Sequence, residues 1–193
     1  MIQNHRLNMV RTFISIDFDN EQIVNHVIAV QQQIQEIETR IKLVNPTILH
    51  ATLEFLGEIS EQQIKQVSEI LETIKFSKFK ISIKQPGLLP NEKYIRVVYC
   101  EMNGEIEQLR KIQMELRSKL KELEYKIDSR AFKPHLTIAR VKTVQNKSEL
   151  IKVIKSLSDF SCGEQEITSL KLKSSELSPS GPHYTTLYEV KAQ

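Results

Sequence analysis

The spacing of apolar and polar positions divides the chain into two runs of elements in the same order. Thr12-Phe13-Ile14-Ser15-Ile16-Asp17 reads as a strand of β-branched and aromatic residues. Ile23, Val27, Val30, Ile34 and Ile37 then recur at helical spacing behind Asp19 or Asn20, either of which suits a cap. A strand containing His50-Ala51-Thr52-Leu53 follows and runs towards Gly57. Ser60 and Gln63 form a capping-box pattern for a helix carrying Ile64, Val67, Leu71 and Ile74. Phe79, Ile81 and Ile83 alternate with Lys78, Lys80, Ser82 and Lys84, as in a strand with one solvated face.

The second run begins with a nearly continuous apolar strand from Tyr94 to Glu101. Gly104 then precedes a long helix with Ile106, Leu109, Ile112, Leu116, Leu120 and Leu123 on one side. A second strand holds His135-Leu136-Thr137-Ile138. Asn146 and Glu149 mark the start of a helix with Leu150, Ile151, Ile154 and Leu157, and two strands, about Gln165–Glu176 and Tyr184–Val190, close the chain. The order strand, helix, His-x-Thr strand, helix, strand thus occurs twice. It predicts an α+β protein of two similar lobes within one domain, 1–193. The lobes split near residues 86–93, and both His-x-Thr motifs face a shared cleft. Residues 1–9 read as a loose extension ahead of the first strand.

Composition narrows the class. Hydrophobic residues make up 40% and charged residues 26% of the 193, which excludes a disordered chain. The formal net charge of +3 and the pI near 8.8 suit an anionic ligand but are too small for an extended nucleic-acid footprint, so no DNA partner is expected. Cys100 and Cys162 have neither metal-site nor disulfide-framework spacing and read as reduced cytosolic thiols. No apolar stretch has the length of a membrane span, and the first nine residues lack a signal-peptide core. A cytoplasmic monomer is the expectation.

The repeated tetrapeptide carries the chemistry. On a strand, residues i and i+2 share a face. His50 and Thr52 therefore project together, as do His135 and Thr137, while Ala51, Leu53, Leu136 and Ile138 face the core. Imidazole titrates near neutral pH, so of two histidines flanking one phosphorus, one serves as base and the other as acid. The threonine hydroxyls can donate hydrogen bonds to non-bridging oxygens. A strained cyclic phosphate fits such a site, since its ring opening needs no metal to expel a poor leaving group. No metal-binding motif, phosphate-binding glycine loop or cofactor motif is present, and no metal or cofactor is expected.

The residues around these motifs resemble those of the 2H phosphoesterases, and within them the RNA 2′,3′-cyclic phosphodiesterases, also called 2′–5′ RNA ligases. The resemblance runs from about Arg11 to Val190. It is carried by Arg11 to Asp17, by Val44-Asn45-Pro46 through Glu58, by Phe132 to Val141, and by Glu176 to Tyr184. It implies a bilobal fold, each lobe an antiparallel sheet with outer helices, around a central cleft. It implies hydrolysis of an RNA-terminal 2′,3′-cyclic phosphate to a 2′-phosphate. In that frame His50 is the proton donor and His135 the proton acceptor. Thr52, Thr137 and Arg140 hold the phosphate, and Phe55 is a candidate to stack on a base.

Two of these placements conflict with regular strand geometry. Arg140 and Phe55 each lie five residues after a histidine, which points them to the opposite face unless the strand bulges or ends. The remaining histidines have plainer readings: His5 and His26 as solvated, His183 as a turn residue. Asp17 and Asp19 read as turn and cap. Rival functions are a 2′–5′ phosphodiesterase or ligase, a phosphodiesterase of small cyclic nucleotides, and a non-catalytic RNA-end binding module.

Overall fold

Among the described residues, three of the four α-helices begin where the sequence supplies a cap. A computed structural model describes residues 9–37, 39–123, 125, 131–179 and 181–193, so the extension expected before Met9 lies outside the described residues. The elements run β1 (Val10–Asp17), α1 (Glu21–Gln35), β2 (Thr39–Leu43), β3 (His50–Ile59), α2 (Glu61–Thr73), β4 (Phe79–Pro90) and β5 (Ile95–Gly104). They continue with α3 (Ile106–Glu122), β6 (His135–Val144), α4 (Lys147–Ser156), β7 (Gly163–Ile167), β8 (Ser169–Ser178) and β9 (Gly181–Lys191). The Asn20 side chain accepts from the Gln22 and Ile23 amides at the head of α1, and that of Asn146 from Glu149 at the head of α4. Ser60 and Gln63 close the full capping box at α2. Among the described residues no side chain caps α3. Its start is tied instead to β4, where the Lys80 amide donates to Glu105 Oε2 at 2.7 Å and the Glu105 amide to the Lys80 carbonyl at 3.0 Å.

Two antiparallel sheets result, a four-stranded one in the order β3-β1-β8-β9 and a five-stranded one in the order β2-β6-β5-β4-β7. Helices α2 and α3 pack on the first, α1 and α4 on the second. The apolar stripes face inwards between helix and sheet: Ile23, Val27, Val30 and Ile34 on α1, and Leu109, Leu116 and Leu120 on α3, are fully buried. Burial of each such side chain is worth about 1.5–3 kcal/mol over exposure. The other faces of the sheets border the cleft, where the Cα atoms of β3 and β6 come within 8 Å.

The lobes do not divide the chain where its pattern suggested. Residues 86–93 fall in the β4–β5 hairpin, which lies wholly within the five-stranded sheet. Each sheet instead draws strands from both halves. The stretch Gln165–Glu176, expected as one strand, is broken at Thr168, so that β7 edges one sheet and β8 enters the other. Strand β2, which the pattern left unassigned, lies beside β6 at the other edge.

One buried polar residue interrupts the α1 stripe. Gln31 is 4% exposed, and its Nε2 donates to the carbonyls of Val44 and Ile138, each at 2.8 Å. Gln31→Leu keeps the bulk but removes both donors. It should cost about 1–3 kcal/mol, the penalty for buried acceptors left short of partners, read as a lower urea midpoint at unchanged slope.

Candidate active site

Each His-x-Thr motif opens a strand, and each strand bulges immediately after its threonine. In β3, His50 lies opposite Asp17 and Thr52 opposite Ser15, but the next pair is Glu54 with Ile14, which leaves Leu53 as an extra residue. In β6, His135 lies opposite Glu101 and Thr137 opposite Tyr99, but the next pair is Ala139 with Val98, which leaves Ile138 extra. A bulge sets two consecutive residues against one on the partner strand and reverses the alternation beyond it. Accordingly Leu53 and Glu54 are both buried, as are Ile138 and Ala139. Phe55 then falls opposite Phe13, and Arg140 opposite Val97. Both thus regain the face of their histidine, which resolves the parity conflict. A second bulge follows in β3, where Gly57 adopts φ +74°, a conformation that suits glycine.

The bulged carbonyl of β6 is well held. Ile138 O accepts from the Val44 amide at 2.9 Å as well as from Gln31. The helix α1 thereby supports the backbone irregularity that presents Arg140.

Both imidazoles are fixed by a carbonyl two residues upstream. Nδ1 of His50 lies 2.8 Å from the Ile48 oxygen, and Nδ1 of His135 lies 2.7 Å from that of Lys133. A carbonyl only accepts, so each Nδ1 carries the proton and donates it. That leaves Nε2 of each ring to accept a proton when neutral and to give one when charged.

The surroundings of the two rings differ. His50 is flanked by Tyr184, edge-on at 5.0 Å between centroids, and by Phe13 at 5.1 Å. Phe55 lies 6.2 Å from Phe13 and is 52% exposed. His135 has the edge of Tyr99 at 5.7 Å. It borders a hollow of about 210 Å³ lined by Leu89, Tyr99, Glu101, Met102, Arg110, Lys133 and Pro134. Thr52 and Thr137 are half-buried, and among the described residues neither hydroxyl has a hydrogen-bond partner. Arg140 is exposed and has no carboxylate partner among them either.

Burial pushes the His50 imidazole below its ordinary value. The hydrogen bond to Ile48 opposes this, the charge of Lys173 reinforces it, Asp17 opposes it, and Arg140 reinforces it. Arg140 belongs to the other sheet, so its influence on His50 and on Tyr184 spans the cleft. For Asp17, burial alone would raise the carboxyl, but hydrogen bonds and charge from Lys173 and Lys171 outweigh it and hold it below the usual carboxylate value. Asp17 is therefore an ion-pair centre beside His50 and not a turn residue.

The sequence pattern passed over Tyr184, Tyr99, Lys171 and Lys173. The available signal was Leu170-Lys171-Leu172-Lys173, a strand with two lysines on one face. His26 is also not solvated: its Nδ1 lies 2.8 Å from the Cys162 carbonyl and its ring is edge-on to Phe160, bracing α1 against the segment before β7.

Paired His-x-Thr strands on the cleft faces of two antiparallel sheets define a 2H phosphoesterase. The chain belongs to the AKAP7 2'5' RNA ligase-like domain family, which matches residues 12–192. It is 36% identical to an RNA 2′,3′-cyclic phosphodiesterase of Methanocaldococcus jannaschii, over 93% of this chain and 99% of that one. It is 34% identical to another from Aeropyrum pernix, over 88% and 97%. The fold is shared with LigT of E. coli in complex with 3′-AMP, at a TM-score of 0.80 and 23% identity, covering 96% of this chain and 99% of that one.

Gly87 tests the geometry. A Cβ at this position would lie 2.8 Å from Tyr99 Cζ and Oη, so the ring must give way. Gly87→Ala should move the His135 ring-proton resonances, which sit over the Tyr99 edge, and leave those of His50 in place. Unmoved His135 signals would mean that Tyr99 does not contact this ring in solution.

Proposed function

We propose that this protein opens RNA-terminal 2′,3′-cyclic phosphates to 2′-phosphomonoesters by paired histidine acid–base catalysis without a metal. The observation that carries this reading is the pair of imidazoles, each locked through Nδ1 and each followed by a bulge. Around one cleft lie both Nε2 atoms and, without a hydrogen-bond or carboxylate partner among the described residues, two threonine hydroxyls and the Arg140 guanidinium. The relatives' names as RNA 2′,3′-cyclic phosphodiesterases support the substrate class.

In this reading Arg140, Thr52 and Thr137 hold the phosphate oxygens and limit the charge that builds there. His135 takes a proton from water as the water attacks phosphorus. His50 gives its proton to the departing 3′ oxygen, and Phe55 offers a face to the base. A cytosolic monomer is part of the proposal, and the two free, buried thiols, Cys100 and Cys162, accord with a reducing compartment. A second reading, the joining of a 2′,3′-cyclic end to a 5′-hydroxyl, draws support from the hollow beside His135. That hollow leaves room on the nucleophile's side for more than water.

Turnover of a 2′,3′-cyclic nucleotide tests the histidines. His50→Ala and His135→Ala should each lower kcat by about 10²–10⁴-fold, and the double variant by far less than the product of the two. A near-native rate in either single variant, or no turnover by the native protein, would remove the two-histidine hydrolase. In the latter case an RNA-end binding module would remain. Phosphorus NMR should identify a 2′-phosphate, while a 3′-phosphate would reverse the orientation of the ring. Adding an oligonucleotide with a 5′-hydroxyl tests the joining reading.

Exhaustive chelation with EDTA should leave kcat unchanged. A loss restored by Mg²⁺, Mn²⁺ or Zn²⁺ would replace acid–base catalysis with metal catalysis.

The pH profile of kcat/KM should be bell-shaped, because one imidazole must be neutral and one charged. The His50 imidazole lies below its ordinary 6.5 in the free protein. The acidic limb, where the second imidazole becomes charged, should therefore fall below 6.5. The limbs belong to the coupled pair.

A further inference from the structure

The cleft face of the four-stranded sheet carries an ion cluster to which the proposed chemistry assigns no part. Lys173 lies opposite Phe13, yet only 9% of its side chain is exposed. Its ammonium reaches Asp17 Oδ1 at 2.5 Å, while Lys171, opposite Ser15, reaches Oδ2 at 3.0 Å. Glu189, at 3.9 Å, balances the more exposed Lys171 at the rim. Asp17 is the cross-strand partner of His50. Residues two apart on a strand are separated by about 6.8 Å, so the Lys173 chain must run back past the Ser15 position to reach Asp17. The Ser15 hydroxyl is fully buried and lacks a partner among the described residues. A buried ion pair is commonly no more stabilising than apolar side chains of the same volume. Stability alone therefore does not account for a lysine laid across this floor.

We propose that Lys173 is a positioning residue that acts through His50. Held by Asp17, it fixes a positive charge in the cleft floor and ties protonation of His50 to the arrival of an anionic phosphate. This rests on the phosphodiesterase reading above.

Among the described residues, the charged and titratable groups around His50 come from four strands: Asp17 on β1, Lys173 on β8, Tyr184 on β9 and Arg140 on β6. In the empty site, burial and the charges of Lys173 and Arg140 favour the neutral imidazole over the opposing influence of Asp17 and the Ile48 carbonyl. A neutral His50 has no proton to give from Nε2. A cyclic phosphodiester carries one negative charge, and when it settles by Arg140 and Lys173 it cancels their repulsion. His50 then takes a proton from solvent at Nε2 and passes it to the 3′ oxygen as the P–O bond breaks. His135 takes one proton from the attacking water and returns it to solvent, so the cycle is balanced. The acid is thus armed by its own substrate.

The titration midpoint of the His50 ring, followed by NMR of its Cε1–H group in the full chain, tests this. Lys173→Met should raise the midpoint and Asp17→Asn should lower it, each by on the order of one pH unit, while Lys173→Arg should hold it near the native value. Opposite signs from the two members of one ion pair are the diagnostic, because a lesion that merely loosens the floor shifts both in the same direction. In a His135→Ala background, saturation with 2′,3′-cyclic AMP should raise the midpoint, and should raise it less when Lys173 is also Met. Unchanged midpoints, shifts of one sign, or no response to the cyclic nucleotide would overturn the proposal. If Lys173→Met does not fold, Asp17→Asn still decides: a lowered midpoint supports the proposal and an unmoved one ends it. Failure of the phosphodiesterase reading looks different. The variants would then show these shifts in the free state, while the native protein neither binds nor turns over the cyclic phosphate.

Discussion

Strand alternation is the constraint on which everything in this cleft depends. A regular strand shows alternate residues to each side, so a histidine and a threonine two apart can share a site, while a residue five after the histidine cannot. Both catalytic-type strands break the alternation at the same place, one residue past the threonine, by inserting Leu53 or Ile138. The insertion is what turns an aromatic ring on one strand and a guanidinium on the other to the cleft face. The irregular backbone needs support, and in β6 the Gln31 amide reaches from the outer helix to provide it. A residue on the far side of the sheet thus underwrites the position of Arg140.

The two motifs share a backbone pattern and differ in everything around it. Each imidazole donates Nδ1–H to the carbonyl two residues before it. Beyond that, His50 lies in an aromatic niche over an aspartate and two lysines, whereas His135 stands beside a tyrosine edge and an open hollow. Identical rings in identical tautomers are thereby set in unlike surroundings. The contrast between them comes from the neighbours on adjoining strands and not from the motif.

Local features were legible in the sequence because their causes are local. The Ser60–Gln63 box and the Asn146 cap depend on residues three apart and formed as read, and of the two candidates Asp19 and Asn20 it is Asn20 that caps α1. The duplicated His-x-Thr strand depends on alternation over a few positions, and it too is present twice. What was illegible depends on partners far away in the chain. Nothing near Thr168 states that β7 and β8 belong to different sheets, and nothing near Pro86 states that its hairpin stays within one. Asp17 looked like a turn residue because its lysines lie 154 and 156 positions later. The parity of Phe55 and Arg140 could be posed as a question from the sequence, but the bulges that answer it are properties of strand pairing.

The interleaving of the two sheets also bears on how the site comes into being during synthesis. Strand β1 pairs with β8, joining Phe13 to Lys173, and Tyr184 closes on His50 from β9. Such pairings close very long loops, and folds rich in them assemble slowly compared with those built from neighbours. A growing chain that already contains both histidines still lacks the inner strand of one sheet. Its first lobe has an exposed β1 edge, open to pairing with other chains until β8 arrives. Neither half of the sequence can therefore mature by itself, and the cleft takes shape only as a late event of chain completion.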